Sequence, residues 1–97
     1  MLLIRDVFKT KPGKAKNLVN IMKQAIPFME AAGFSNVKLM TDVVSNYWTV
    51  VLQSEVESLA GFESKVSGFS SRPELAEIMK GYIDNIEGGY REIFKIE

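Results

Sequence analysis

The stretch from residue 37 to 53 constrains the fold most, because it is typical of two β-strands that fold back on one another. Ser45-Asn46 near its middle suits a two-residue hairpin turn, since asparagine tolerates left-handed backbone geometry. Such a turn would place Leu39 opposite Leu52 and give the hairpin one almost wholly apolar face and one mixed face. The register is the central assumption, because a slip of one residue would exchange the two faces.

The segments on either side of the hairpin complete a β-α-β-β-α-β order. Alternating apolar residues predict strands, and apolar residues spaced three or four apart predict helices. A capping box at 54–57 is expected to begin the second helix, a break at 67–70 to divide it, and Gly88-Gly89 to end it. The other predicted elements are a strand over 2–9, a helix over 14–32, strands over 36–44 and 47–53, and a strand over 90–96.

This order is that of the ferredoxin-like fold, an α+β architecture in which a four-stranded antiparallel sheet carries its helices on one face. The whole chain, 1–97, is expected to form one domain, since no linker-like stretch divides it. RNA-recognition modules share the order but stack bases on aromatic residues of strands one and three. Here Tyr47 and Trp48 fall on opposite faces and the net charge is zero, so nucleic-acid binding is the weaker alternative.

The composition excludes several classes of chemistry. The chain has no cysteine and no histidine, so a thiolate nucleophile, a serine–histidine triad and the usual zinc and iron ligands are all missing. We therefore expect neither a metal nor a cofactor. No apolar run approaches the ~20 residues that span a bilayer, and the N-terminus lacks the pattern of a signal peptide. These features predict a cytoplasmic protein that does not bind membranes.

The sheet face away from the helices predicts a partner subunit. Helices on one face leave the other face open, and on the predicted register that face carries Met40, Val44, Tyr47 and Val51. An open face is normally polar, and large exposed apolar patches usually mark an interface. The sequence therefore predicts a homodimer that packs sheet against sheet. It leaves open whether Tyr90, Phe94 and Ile96 of the last strand share this face.

Three stretches resemble the dimeric α/β-barrel superfamily, and within it the NIPSNAP-like and antibiotic-biosynthesis-monooxygenase-like small proteins. Residues 4–14, I-R-D-V-F-K-T-K-P-G-K, are similar to the family's first strand and its K-P-G-type turn. Residues 49–63 are similar to its third strand and the entry to its second helix, and residues 90–94 to its closing strand. The resemblance implies two ferredoxin-like halves joined into a barrel, with a small-molecule pocket between sheet and helices in each subunit.

The same resemblance suggests which reactions to consider. Haem-degrading relatives carry an asparagine on strand one, a tryptophan near the start of helix two and a histidine ligand in that helix. Here Asp6 and Val56 stand at the first two positions, and the chain has no histidine, so haem degradation is not expected. If the protein is an enzyme, the resemblance implies a cofactor-independent oxygenase or isomerase acting on a small aromatic or polyketide-like compound. A non-catalytic ligand-binding or structural homodimer is the alternative.

Asp6 is the candidate catalytic residue. It shares a strand face with Ile4 and Phe8, which we assign to the helix side, and burial of an unpaired carboxylate there would be costly. It would then serve as the proton acceptor of a pocket. The alternative is a structural ion pair with Arg91 across strands one and four, matched by a pair between Arg5 and Glu92.

Four further residues are candidates for ligand contacts. Trp48 is expected on the apolar face of the hairpin, and Tyr82 midway along the last helical stripe. Phe69 falls in the predicted break of the second helix, where it could act as a lid. Arg91 would lie close to Asp6. Ordinary core packing remains the alternative for each aromatic residue.

Overall fold

The computed structural model describes residues 1–97 and shows the predicted ferredoxin-like architecture. The elements are β1 (Leu2–Thr10), α1 (Ala15–Ala31), β2 (Ser35–Thr41), β3 (Thr49–Val56), α2 (Leu59–Ser70), α3 (Pro73–Ile78), a 3₁₀ helix (Tyr82–Asn85) and β4 (Ile86–Lys95). The strands form one sheet in the order β2-β3-β1-β4, and all neighbours are antiparallel. The molecule measures 35 × 35 × 18 Å, as expected for one sheet beneath one layer of helices.

The core lies between the sheet and α1. On α1 the buried residues are Leu18, Met22, Ala25 and Met29, at the spacing of three or four that keeps side chains on one face of a helix. They pack against alternate residues of β1 and β3, among which Ile4 and Val50 are almost fully buried. None of the helices is both long and apolar enough to cross a lipid bilayer.

The central hairpin has the predicted register but not the predicted turn. Leu39 lies opposite Leu52 and Thr41 opposite Val50, yet pairing ends there. The Asp42 carboxylate accepts a hydrogen bond from the backbone nitrogen of Thr49 at 3.0 Å, which closes a loop over 42–48. The prediction of a two-residue turn at Ser45-Asn46 is therefore wrong.

The residues of this loop differ most from expectation. Val44 and Tyr47, predicted on the open sheet face, belong to no strand and are 93% and 80% exposed. Trp48, predicted to face the helices, is 41% exposed and has a positive φ of 63°. Its carbonyl accepts hydrogen bonds from the backbone nitrogen and hydroxyl of Thr10, which tie the end of the loop to β1.

The second half of the chain also departs from the predicted boundaries. Residues 54–56 continue β3, and the cap of α2 is Ser58, whose hydroxyl accepts from the backbone nitrogen of Gly61 at 3.0 Å. The helix then runs through the predicted break at 67–70 and stops just before Pro73. The apolar stripe beyond it is not one helix, because Gly81 with φ 80° separates α3 from the 3₁₀ helix.

β4 is longer than predicted, and its register shows which face of the sheet carries Tyr90 and Phe94, a point that the sequence left open. Gly88 and Gly89 lie inside the strand and do not end a helix. Arg91 pairs with Asp6 and Glu92 with Arg5, so both predicted cross-strand ion pairs are possible. Since side chains alternate along a strand, Tyr90 and Phe94 lie on the open face, away from the helices.

The open face carries an apolar stripe across all four strands. Met40, Val51, Val7 and Tyr90 lie opposite one another in register from β2 to β4. The next row is polar, with Lys38, Gln53, Arg5 and Glu92 in the same order. The predicted apolar character of this face is thus confined to the stripe and to a second apolar pair, Leu3 with Phe94.

Candidate functional site

A cavity of about 210 Å³ lies between the helices and the covered face of the sheet. Twelve of its fifteen lining residues are hydrophobic. Four of the five predicted site residues line it: Asp6, Phe69, Tyr82 and Arg91. We call this space the inner cavity.

The sheet and α1 form the rigid walls of the inner cavity. Ile4, Leu52 and Ser54 line it from the sheet, and Met22 and Met29 from α1. All five are buried, with at most 8% of each residue exposed. Such side chains are held by dense packing on several sides, so this part of the cavity is preformed.

The remaining wall comes from the second half of the chain and is less firmly held. Phe62, Val66 and Phe69 line the cavity from α2, which contributes no fully buried residue to the core. Phe34 meets Phe62 and Phe69 edge to face, with ring centroids 6.3 and 6.4 Å apart. Aromatic contacts of this geometry stabilise the wall without filling the cavity.

Asp6 and Arg91 form an ion pair at the mouth of the inner cavity. Arg91 Nε donates to Asp6 Oδ1 at 2.5 Å, and 18% of the Asp6 side chain and 51% of the Arg91 side chain are exposed. The guanidinium of Arg91 also lies over the ring of Phe62, 5.2 Å from its centroid. Arg91 therefore reaches from β4 to α2, across the edge of the cavity.

The sequence left open whether Asp6 lines a pocket or forms a structural ion pair with Arg91, and the structure shows that it does both. The structural alternative, an ion pair across strands, is present. The carboxylate nevertheless lines the cavity, so the two interpretations of Asp6 do not exclude one another. Opposite charges in direct contact stabilise each other more strongly here than in bulk water, because apolar side chains surround most of the carboxylate.

A second hollow adjoins the inner cavity on the other side of this ion pair. It measures about 350 Å³ and is open to solvent, and its lining includes Glu87, Gly89 and Tyr90 of β4. Asp6, Phe8, Tyr82 and Arg91 line both spaces. We call the second space the outer hollow, and these four shared residues separate it from the inner cavity.

Trp48 does not belong to this site. It lines a different hollow, together with Ala15, Val19, Tyr47 and others. Trp48 thus lies beside the start of α1, but the loop over 42–48 keeps it out of the inner cavity. Val56, matched by sequence to a position near the start of the second helix, is instead the last residue of β3 and is buried.

Several lining residues carry no sequence signal of a site. The spacing of Ser54 and Glu57 predicts a helix cap, but Ser54 faces the cavity from β3 and is 3% exposed. Met22, Ala25 and Met29 were interpreted only as the apolar stripe of α1. Such a stripe shows which side of a helix is covered, but not whether the covering side chains leave a void. No group of three or more acidic residues comes close enough together to hold a metal ion.

Solved structures with this architecture cover almost the whole chain. An uncharacterised NIPSNAP domain protein from Burkholderia xenovorans superposes with a TM-score of 0.86 at 10% identity, over 100% of this chain and 95% of that one. A NIPSNAP family protein from Agrobacterium tumefaciens gives 0.87 at 11% identity, over 99% and 92%. An antibiotic biosynthesis monooxygenase gives 0.75 at 10% identity, over 100% and 99%.

These likenesses concern the fold. No family model and no curated protein matches the chain by sequence. The resemblance to NIPSNAP-like and monooxygenase-like proteins is confirmed at the level of the three-dimensional structure, where both groups share the sheet and helix arrangement described above. A shared fold does not determine function, which depends on the residues of the site.

Proposed function

We propose that the protein is a homodimer in which each subunit binds one small, mainly apolar molecule in the inner cavity. The observation that carries the proposal is an apolar space, preformed on the sides of the sheet and α1, with a single ion pair at its mouth. Binding sites for small molecules typically combine apolar walls with a few polar groups that orient the ligand. Structural cores, in contrast, are packed with few voids larger than a water molecule.

The size of the cavity limits the ligand. An apolar cavity of ~150 Å³ holds a benzene-sized molecule, and the inner cavity measures about 210 Å³. A compound with one or two rings, or a short branched chain, therefore fits inside. The outer hollow can receive a polar extension of such a ligand, since the two spaces meet at Asp6 and Arg91.

Filling the inner cavity with a larger side chain should abolish binding. Ala25 is 2% exposed and lines the cavity from α1, so Ala25→Leu places added methyl groups in the space that a ligand needs. In a thermal-shift screen of small aromatic compounds, ligands should raise the melting temperature of the wild type. The same compounds should leave that of Ala25→Leu unchanged.

The matched control is Ala76→Leu on the exposed side of α3, outside the cavity. This variant should respond to every hit as the wild type does. Equal shifts for all three proteins would show that the compounds bind elsewhere and would remove the cavity from the proposal.

The dimer is supported by the apolar stripe on the open face. Val7 and Val51 at its centre lie between Met40 and Tyr90, which are 38% and 61% exposed. A sheet covered by helices on one face can place such a stripe out of water only against another molecule. A second copy offers an identical stripe, and a two-fold axis would set the two against each other.

A catalytic role for the same cavity is the second candidate, and the position of Asp6 favours it. A carboxylate that lines a mainly apolar cavity can accept a proton from a carbon next to a carbonyl group and return it to another carbon. That sequence is an isomerisation and needs no cofactor. Oxygenation would begin with the same proton transfer. The carbanion would then form a C–O bond with dioxygen and take up a proton, and loss of water from this hydroperoxide would leave one oxygen atom in the product as a carbonyl group. One of the fold neighbours is named a monooxygenase.

Replacing Asp6 by asparagine tests the catalytic candidate. Asparagine keeps the shape but cannot accept the proton, so turnover of any substrate found should fall by about a hundredfold or more. Product analysis of each thermal-shift hit, with wild type and variant in parallel, provides the measurement. Binding without any product from the wild type would support a non-catalytic binding protein instead.

A further inference from the structure

The polar boundary of the cavity contains more hydrogen-bonding groups than the ion pair uses. The pair joins Arg91 Nε to Asp6 Oδ1. An arginine has five N–H donors and a carboxylate has two oxygens, so the terminal nitrogens of Arg91 and Oδ2 of Asp6 remain for other partners. No other side-chain hydrogen bond or salt bridge of the chain engages them. Both residues line the inner cavity and the outer hollow, so these groups belong to the boundary between the two spaces.

The charges at this boundary select against an anionic ligand. Asp6 and Arg91 neutralise each other, and Glu87, the remaining charged residue that lines the outer hollow, adds a negative charge. A ligand anion would meet Arg91 already paired and two carboxylates close by, which raises the free energy of the complex. A neutral group that both donates and accepts a hydrogen bond meets no such repulsion.

On these grounds we propose that the ligand carries a neutral head with a hydrogen-bond donor and acceptor side by side, as in a primary amide, which bridges Arg91 and Asp6. The inference rests on the proposed function, since it assumes that the apolar body of the ligand occupies the inner cavity. The carbonyl oxygen of the head accepts from the terminal nitrogens of Arg91, and its N–H donates to Asp6 Oδ2. Hydrogen bonds to charged groups are the stronger kind, so the head should contribute much of the affinity.

A series of naphthalene derivatives with the same body and different heads tests this inference by calorimetric titration of the full-length protein. Naphthamide should bind at least about tenfold more tightly than methylnaphthalene, the gain expected from one or two hydrogen bonds to charged groups. N,N-dimethylnaphthamide, which has no donor, and naphthoate, which is an anion, should lose that gain. Equal affinity across the series would overturn the inference and leave the proposed function intact. Absence of binding by every member would overturn both.

Two variants test whether the ion pair causes the preference for naphthamide over methylnaphthalene. Arg91→Met should bring naphthamide and methylnaphthalene to similar affinity, whereas Arg72→Met should not. Arg72 is the matched control, because its guanidinium also lies over a phenylalanine ring, 4.9 Å from the centroid of Phe28, but outside the inner cavity. A preference that survives Arg91→Met in a folded protein would overturn the inference.

A variant that binds a ligand more tightly than the wild type must be folded, so a gain of naphthoate binding is a further test. Asp6→Asn removes one of the two carboxylates near the head and frees Arg91 from its partner. We expect this variant to bind naphthoate about tenfold more tightly than the wild type does. Unchanged or weaker naphthoate binding by Asp6→Asn would contradict the assignment of the head to this pair.

Discussion

Val51→Asp is expected to convert a dimer into monomers. Val51 lies at the centre of the apolar stripe, between Met40 on β2 and Val7 on β1. In a sheet-to-sheet dimer each subunit would bury one short aspartate without a partner, at a cost of about 4 kcal/mol for each of the two. Since each 1.4 kcal/mol is a factor of ten, the dissociation constant should rise by about five orders of magnitude. Light scattering after size-exclusion chromatography measures the change.

The control for this variant is Leu59→Asp. Leu59 is 57% exposed at the start of α2, on the helix side of the molecule. It introduces the same charge away from the stripe and should leave the protein dimeric. A wild type that is monomeric at micromolar concentration, or a Val51→Asp protein as dimeric as Leu59→Asp, would contradict a sheet-to-sheet dimer.

Gly89→Ala is expected to destabilise the protein more than an alanine at any other glycine of the chain. A Cβ at Gly89 would lie 2.2 Å from the backbone oxygen of Val7, too close for any packed structure. Because the obstacle is backbone, β4 must move away from β1. We expect a loss of about 3 kcal/mol in the free energy of unfolding. For a domain of this size, this loss lowers the melting temperature by roughly 12–24 °C.

Gly88→Ala is the matched control, one residue earlier in the same strand. A Cβ at Gly88 would meet no atom within 4 Å, so the melting temperature should change by only a few degrees. Gly89 also lies two residues before Arg91, and movement of β4 should weaken ligand binding by Gly89→Ala. Equal melting temperatures for the two variants would show that β1 and β4 do not approach as closely as described. Denaturant unfolding of both provides an independent check.

The hairpin shows what periodic patterns can predict. The register was predictable because alternating apolar residues identify the covered face, and a one-residue slip would expose it. The turn was not, because its geometry depends on hydrogen bonds that a pattern does not contain. Asp42 accepts from Thr49, and Trp48 accepts from Thr10, a residue far away in the chain. These contacts end the strands several residues before the predicted turn.

The second half of the chain shows where local signals mislead. Ser54 and Glu57 have the spacing of a capping box, yet Ser54 is 3% exposed inside β3. Pairing with β1 and burial against α1 outweigh a local preference for a helix start, which amounts to about 1 kcal/mol. Gly88-Gly89 was interpreted as a helix stop, because the sequence does not show that another strand lies too close for a side chain.

Most residues of the candidate site are predictable from the sequence, but the cavity that they line is not. Asp6 and Tyr82 are predictable because they stand among apolar residues. Arg91 is predictable as the cross-strand partner of Asp6, and Phe69 from an expected helix break that the structure does not contain. All four line the inner cavity. Trp48 was placed there by the assumed turn and lies elsewhere. The cavity itself results from the way in which side chains from all the layers fail to fill the space between them, which depends on the complete packing.

The most direct test of a ligand in the inner cavity is NMR of the methionine methyl groups during titration with naphthamide. Met22, Met29 and Met79 line the cavity, whereas Met1 and Met40 lie outside it. The proposal predicts that the first three signals shift, through the ring current of the bound compound, while the other two stay in place. Shifts confined to Met1 or Met40, or no shift at saturating ligand, would contradict it.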